Sequence, residues 1–273
     1  GAGDFALERY TIPLGLDSRI PDATTARAEW RLLAHCRNVL AGLEQLPPFD
    51  REQVRTVLET IVSGQGLDLQ RFSTASAACV VALETEAELD DYTYRVAGCV
   101  GAFWTRLCRF HLFPQTPLDL DRLVQLGVRF GQGLQLVNIL RDLPADLRLG
   151  RCYIPADRLR TTGLEPKKLL DPAILPAFRP LYDRYLDQAL SCLADGWTYT
   201  NLLPRTQPRL RLACAWPILI GVKTIRRLRQ SNVLDAGTRV KIRRREVRRL
   251  IMASVWCYPW PGAWEKLFDR AHR

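Results

Sequence analysis

Residues 119–146 read DLDRLVQLGVRFGQGLQLVNILRDLPAD, a segment in which polar side chains recur at the spacing of an α-helix. Gln135, Asn138, Asp142 and Asp146 follow one another at intervals of three, four and four residues. Those intervals place all four side chains on one face of a helix. Because the residues between them are mostly apolar, the segment predicts a buried helix that carries a stripe of oxygen atoms.

The oxygen stripe favours a metal site that binds phosphate. Mg²⁺ prefers carboxylate, carbonyl and water oxygens, and it commonly joins one or two carboxylates to substrate phosphates. The alternative is a solvated helix face, the usual origin of two aspartates four residues apart. Gly127, Gly131 and Gly133 each cost about 1 kcal/mol relative to alanine inside a helix. They therefore indicate close approach of another helix or a ligand, and Gly131 lies on the stripe itself.

The remainder of the chain shows the same helical period. Segments of 3.6-residue period alternate with proline and glycine, and strand signals are almost absent. We predict helices at 23–43, 51–66, 73–84, 87–112, 119–146, 171–202, 207–230, 238–253 and 262–271. The 273 residues are 47% hydrophobic and show no linker or internal repeat, which predicts one all-α domain over residues 1–273.

Composition narrows the classes of ligand and compartment. A net charge of +10 suits a phosphate-bearing ligand, an anionic membrane or nucleic acid. The eight cysteines form no C-x-x-C pair and the three histidines share no metal-ligand spacing, so we expect buried thiols in a reducing compartment and no zinc site. The longest apolar run, residues 212–222, is too short for a bilayer, which needs about 20 residues. No signal peptide is evident, so we expect a cytoplasmic protein that meets a membrane only peripherally, at its inner surface.

A second segment, residues 90–101, reads DDYTYRVAGCVG. Helical spacing places Tyr92, Val96, Cys99 and Phe103 on one face, with small residues between them. This pattern is typical of a packing seam between helices. It is equally typical of a cavity wall with a phenol at its polar end, and the residues alone do not separate the two.

Two further segments carry weaker signals. Residues 63–68, SGQGLD, either end a helix or flank a ligand, and the glycines favour the helix end. Residues 239–249, RVKIRRREVRR, fit a solvated helix face, a nucleic-acid contact, or attraction to phosphate or anionic lipid. Aromatic residues are not interleaved with this run, and no nucleic-acid-binding motif is present, so we expect no nucleic acid as a partner.

Residues 135–155 resemble the second aspartate-rich motif of the squalene/phytoene synthase family, the head-to-head synthases of isoprenyl diphosphates. Residues 92–101 look like that family's Tyr-x-Tyr-x-Val-Ala-Gly-x-Val-Gly helix. Residues 240–243, VKIR, are similar to a squalene synthase segment associated with the nicotinamide cofactor. The resemblance extends over most of the chain and implies an isoprenoid-synthase-type helical bundle around a central apolar cavity.

The resemblance also implies a reaction. Two farnesyl diphosphates condense with Mg²⁺ to presqualene diphosphate, which NADPH then reduces to squalene. A phytoene- or dehydrosqualene-type synthase without the reduction is the first alternative, and a non-catalytic homologue is the second. The oligomeric state stays open.

Site residues follow from the matching positions. The implied metal ligands are Asp142, Asp146 and Asn138, and the implied catalytic residues are Tyr92 and Arg141. The candidate substrate contacts are Gln135, which the resemblance implies, and, from the segments described above, Gln65, Asp68, Arg95, Val96, Cys99, Phe103 and Gly131. The implied cofactor contacts are Lys241, Arg243 and Asn138.

The family's first aspartate-rich motif has its nearest match at Asp17 and Asp22. These two are five residues apart instead of four, which turns them about 140° from each other on a helix. Pro21 also disfavours a continuing helix. We therefore include Asp17 and Asp22 as metal ligands while expecting this first cluster to be altered or incomplete.

Overall fold

A computed structural model describes residues 35–235, 237 and 240–272. The chain divides into two compact units, residues 1–51 and 52–273. In the first unit, the described part holds α1 (Cys36–Glu44) and the first residues of α2 (Pro48–Arg71). The single domain over residues 1–273 stays a prediction.

The second unit is built of helices, and the all-α prediction is confirmed. After α2 the chain forms β1 (Val81–Ala82), α3 (Glu86–Thr93), a π-helical turn (Tyr94–Gly98), α4 (Cys99–Leu112), α5 (Leu120–Arg148) and β2 (Arg151–Cys152). It continues with α6 (Ala156–Thr161), 3₁₀ turns at Pro166–Leu170 and Pro172–Ile174, α7 (Leu175–Leu202), α8 (Pro208–Gln230), α9 (Arg244–Cys257) and α10 (Pro261–His272). The two short strands pair in parallel, Val81 with Arg151 and Ala82 with Cys152.

The long helix α5 packs against α4, α7 and α8. Asp119 caps its start, since the Asp119 carboxylate accepts a hydrogen bond of 3.0 Å from the backbone N–H of Arg122. Leu136, Leu140 and Leu143 are buried on the inner side of the helix. Burial of one such side chain contributes about 1.5–3 kcal/mol, so this face holds α5 in place and leaves its polar stripe on the other side.

Helix α5 continues through Pro144, although proline has no N–H to donate to the carbonyl four residues earlier. That carbonyl belongs to Leu140, and the buried hydroxyl of Tyr182 on α7 donates to it at 3.0 Å. The hydrogen bond from Tyr182 therefore replaces the one that Pro144 removes. As a result the helix reaches Asp146, half a turn beyond the proline.

The crossing of α4 over α5 depends on two glycines. A Cβ added at Gly101 would lie 1.9 Å from the carbonyl oxygen of Gly127, and one added at Gly127 would lie 2.6 Å from the hydroxyl oxygen of Thr105. Neither distance is compatible with a side chain. The two backbones are therefore in direct contact, which explains the glycines at 101 and 127.

Residues 23–34 of the helix predicted at 23–43 lie outside the described residues; among the other predicted helices, three differ from those observed. Residues 73–84 form a turn and strand β1 instead of a helix, because the strand depends on pairing with the distant β2. Helix α2 does not end at Gly64 and Gly66 but continues to Arg71. The helix predicted at 238–253 begins at Arg244 and ends at Cys257.

The seven cysteines from Cys79 to Cys257 are free, and all seven but the exposed Cys79 are buried. Within the described part of the chain, no helix is both long and apolar enough to cross a membrane.

Candidate functional site

Asp142 and Asp146 lie one helical turn apart near the end of α5. Arg141 binds the Asp142 carboxylate with two hydrogen bonds, from Nε to Oδ1 at 2.9 Å and from Nη2 to Oδ2 at 2.5 Å. Burial and, after it, the negative charge of Asp142 raise the pKa of Asp146 to about 6, although the positive charge of Arg151 opposes both. A divalent cation between these carboxylates would remove their repulsion, so the pair fits a metal site.

Asp68 on α2 is a third carboxylate whose charge acts on Asp146. Its Oδ2 accepts a hydrogen bond of 3.1 Å from Nη1 of Arg151, and its Oδ1 accepts one of 3.0 Å from the hydroxyl of Tyr153. The Asp68 side chain is only 14% exposed. Its negative charge nevertheless contributes to the raised pKa of Asp146.

The turn at Gly150 brings Arg151 and Tyr153 back to Asp68. Gly150 has a φ of 80°, in the left-handed region that favours glycine. An added Cβ would lie 2.3 Å from the backbone nitrogen of Ser76, so the position is also sterically closed. Beyond the turn, β2 pairs with β1 and fixes the direction of the chain.

Tyr92 lies close enough to Asp68 and Asp146 for both charges to act on it. Its ring stacks on that of Tyr153, with centroids 4.7 Å apart and planes inclined by 28°. Its hydroxyl interacts with Tyr153 and with Gln135 of the oxygen stripe. Burial raises the pKa of Tyr92, and the negative charges of Asp68 and Asp146 act in the same direction. The phenol is therefore protonated at neutral pH.

The π-helical turn follows Tyr92 directly, and such turns are frequent at functional sites. Within it, Nε of Arg95 donates to Asp91 at 2.7 Å, and Nη1 of Arg95 donates to the hydroxyl of Ser63 at 2.8 Å. Arg71 also donates to Asp91, at 3.4 Å. These bonds tie α2 to α3, and they occupy Arg95 within the protein.

The remaining predicted substrate residues lie on α2, the π-helical turn, α4 and α5, and they differ in how far they are buried. A Cβ added at Gly131 would lie 2.3 Å from the carbonyl oxygen of Ala97, so the backbone of the π-helical turn fills that space. The thiol of Cys99 is buried and donates to the carbonyl of Arg95 at 3.0 Å. Val96 and Phe103 are half-buried, whereas Gln65 is exposed on α2. Their contacts with a substrate stay predictions.

A cavity of about 870 Å³ opens beside Asp142, between the end of α5, the middle of α8 and the start of α9. Its basic lining residues include Arg141, Arg148, Lys241 and Arg244. Its apolar lining includes Ile220, Val240, Ile242 and Val247. Cationic groups next to an apolar wall suit a ligand that carries phosphate on an organic body.

The two predicted cofactor residues of the VKIR segment differ in position. Lys241 lines this cavity, together with Arg141 and Asp142. Arg243 stands at the N-cap of α9, where its backbone N–H donates to the Glu246 carboxylate at 3.2 Å. Asn138, predicted for both metal and cofactor, is half-buried one turn before Asp142.

The donor set of the described site fits Mg²⁺ held together with substrate phosphates. Across the described ranges, no group of three or more His, Cys, Asp or Glu side chains is arranged around a common metal position. Mg²⁺ in phosphate-transfer sites needs only one or two carboxylates, because phosphate and water oxygens complete its shell. Asp142 and Asp146 meet that requirement. Asp17 and Asp22 lie outside the described residues.

Arg151 and Tyr153 are site residues that the sequence analysis did not select. Both lie in the segment directly after Asp146, and a tyrosine two residues after a basic residue gives no periodic signal. Their roles depend on the parallel pairing of β2 with β1. That pairing joins segments about 70 residues apart and leaves no local pattern.

Residues 16–246 match the sequence profile of the squalene/phytoene synthase family. A bifunctional lycopene cyclase/phytoene synthase of Leptosphaeria maculans is 32% identical over 184 residues, which cover 66% of this chain and 30% of that protein. A phytoene synthase of Thermus thermophilus is 34% identical over 116 residues, which cover 42% of this chain and 37% of that protein. The chain thus spans about a third of the length of these curated relatives.

Solved structures share the fold. TcSQS in complex with the ligand BPH1237 superposes with a TM-score of 0.69 at 19% identity, covering 92% of this chain and 76% of that one. The squalene synthase HpnC from Alicyclobacillus acidocaldarius superposes with a TM-score of 0.53 at 21% identity, covering 76% of this chain and 65% of that one. At these identities the likeness establishes the fold alone.

Proposed function

Because this chain belongs to the squalene/phytoene synthase family, we propose that it is a transferase that condenses two prenyl diphosphates head to head. Farnesyl diphosphate is the proposed substrate. One observation carries the proposal: Tyr92 stacks on Tyr153, Tyr153 binds Asp68, and the charges of Asp68 and Asp142 both act on Asp146. A solvated helix face, the alternative for Asp142 and Asp146, has no reason to lie next to a stacked tyrosine pair and a third aspartate.

Asp142 and Asp146, with Asn138 beside them, would hold Mg²⁺. When bound, the metal neutralises the charge that develops on a departing diphosphate. Arg141 contributes a fixed positive charge at the same end of α5, and its two bonds to Asp142 hold it in place. Diphosphate departure leaves an allylic cation, which the second substrate's double bond attacks.

Tyr92 is the proposed catalytic side chain next to that cation. Its stacking on Tyr153, and the bond from Tyr153 to Asp68, fix the position of the phenol. A protonated phenol donates a hydrogen bond to a diphosphate oxygen without introducing a negative charge. Val96 and Phe103 would form an apolar lining that keeps water away from the cation.

NADPH-dependent reduction to squalene is the finer proposal, and the cavity beside Asp142 supports it. Lys241, Arg148 and Arg244 would bind the phosphates of the dinucleotide, and the apolar lining would accept its rings. Bound NADPH would supply a hydride to the cation that forms when presqualene diphosphate loses its diphosphate. The second candidate is condensation without reduction. It is supported by sequence relatives such as the phytoene synthase of Thermus thermophilus and the 15-cis-phytoene synthase of Enterobacter agglomerans.

The test is product analysis from labelled farnesyl diphosphate with Mg²⁺, with and without NADPH. Squalene formed only with NADPH supports the reductive reaction, whereas a product that does not depend on NADPH supports the second candidate. Asp142→Ala is expected to abolish diphosphate release. Asp121→Ala, an exposed position in the first turn of the same helix, is the matched control. Unchanged turnover in Asp142→Ala would refute the proposed site.

A further inference from the structure

One face of α9 is directed to solvent and combines two kinds of side chain. The face, here called the α9 surface, consists of Arg245, Arg248, Arg249, Met252, Val255 and Trp256, with Trp260 following the helix. The spacing of the six helical residues places them on one side of α9. The opposite side carries the buried Leu250, Ser254 and Cys257.

The C-terminal half of the α9 surface is apolar and strongly exposed. Met252 is 70% exposed, Trp256 75% and Trp260 53%. The rings of Trp256 and Trp260 lie 6.1 Å apart, so they form one aromatic patch. A contiguous exposed apolar patch bordered by polar residues marks an interaction site.

The N-terminal half is cationic. Arg245, Arg248 and Arg249 are exposed, and among the described residues no ion pair involves them. A further positive charge lies next to the aromatic patch, because Nη2 of Arg205 donates to the carbonyl of Pro259 at 3.3 Å. The protein as a whole carries a net charge of +10.

We propose that the α9 surface binds an anionic lipid bilayer. Arg249 and Trp256 are seven residues apart, which corresponds to about 10 Å along the helix. An amphipathic helix at a bilayer buries its apolar side about 5–10 Å into the boundary between headgroups and acyl chains. Trp256 and Trp260 would therefore lie at that boundary while the arginines contact headgroup phosphates.

Other occupants fit the surface less well. A nucleic acid would use the arginines but leave the Met252 and Trp256 side chains in water. A second protein chain would bury the aromatic patch, yet a protein partner has to supply carboxylates for three neighbouring arginines. A bilayer that contains anionic lipid offers both kinds of contact over one continuous surface, and it does so whether or not the chain is the proposed enzyme.

The experiment is co-sedimentation of the purified chain with phosphatidylcholine vesicles, with and without phosphatidylglycerol. We expect binding to require the anionic lipid at low salt. Arg248→Gln with Arg249→Gln is expected to weaken it by about fivefold for each arginine, the contribution of a basic residue near an anionic surface. Trp256→Ser with Trp260→Ser is expected to remove the part of the binding that persists at high salt.

Two matched controls distinguish vesicle binding by the α9 surface from binding through exposed cations or apolar side chains in general. Lys167→Gln with Lys168→Gln removes two exposed cations outside the α9 surface. Leu170→Ser removes an exposed apolar side chain outside it. Both control variants are expected to bind the vesicles as the wild type does. Brominated phosphatidylcholine included in anionic vesicles is expected to quench tryptophan fluorescence. Trp256→Phe with Trp260→Phe, which keeps the patch apolar, is expected to abolish that quenching.

Two results would overturn the proposal. The first is vesicle binding that neither double variant weakens. The second is a wild-type dimer in sedimentation velocity that Trp256→Ser with Trp260→Ser converts to monomer, since this would assign the surface to a second copy of the chain. Circular dichroism of each variant establishes that the helices are retained.

Discussion

Replacement of Asp146 by asparagine is expected to stabilise the metal-free protein at neutral pH. The fold raises the pKa of this carboxyl from 3.8 to about 6, mainly through burial and also through the charge of Asp142. A carboxyl with a raised pKa in the folded state destabilises the fold once it is ionised. This free-energy cost is absent at pH values below the pKa of the unfolded state. It reaches its full size at pH values above the pKa of the folded state.

The two pKa values set the size of this destabilisation. For a carboxyl fully shielded from water, they correspond to upper limits of about 3 kcal/mol at pH 7.5 and about 1 kcal/mol at pH 4.5. Because Asp146 is only half-buried, solvent reduces the effect, and we expect Asp146→Asn to raise the free energy of unfolding by about 1–2 kcal/mol at pH 7.5 and by less at pH 4.5.

Urea unfolding in the presence of EDTA, at both pH values, measures the gain. Asp121→Asn, an exposed position in the first turn of α5, is the control and is expected to show no comparable gain. Added Mg²⁺ is expected to stabilise the wild type more than Asp146→Asn. Equal or lower stability of Asp146→Asn at pH 7.5, or an equal gain at both pH values, would refute this reasoning.

Three further predictions concern packing, the proline and the cofactor. Gly101→Ala is expected to lower the free energy of unfolding by about 1–3 kcal/mol because the backbones of α4 and α5 must separate. Gly66 has open space around it, so Gly66→Ala is expected to raise the free energy of unfolding by up to about 1 kcal/mol in the same urea titration. Tyr182→Phe is expected to cost about 1–3 kcal/mol and to speed amide exchange beyond Pro144, whereas Tyr185→Phe, whose buried hydroxyl has no hydrogen-bond partner among the described residues, is expected to cost nothing. Lys241→Gln is expected to raise the KM for NADPH with little change in the KM for farnesyl diphosphate, and equal changes in both would contradict a cofactor role.

Local periodicity was sufficient to predict much of α5. The helix predicted at 119–146 is observed at Leu120–Arg148, and the stripe of Gln135, Asp142 and Asp146 borders the site. This succeeded because the repeat of apolar residues extends over many turns. The glycines were also predicted to mark a close approach, and Gly101 and Gly127 show that the approaching element is a helix.

Contacts between distant segments could not be predicted in the same way. Tyr153 reaches Asp68 only because β2 pairs with β1, and neither two-residue strand has a periodic pattern of its own. At Gly64 the glycine signal was misleading. It indicated the end of a helix, whereas the structure uses it for close contact with Arg95, with a Cβ-to-Cβ distance of 2.7 Å for an added side chain.

The π-helical turn at Tyr94–Gly98 also determines where the chain next to the site tolerates a change in length. A π turn holds one residue more than the α-helical turns on either side of it. Loss of one residue there would restore a regular helix that still completes the same turn, so the direction of Tyr92 relative to α4 would change little. Loss of one residue from a regular part of the helix would instead rotate the side chains before it by about 100° relative to those after it. A deletion that leaves the phenol of Tyr92 beside Tyr153 is therefore confined to the π turn.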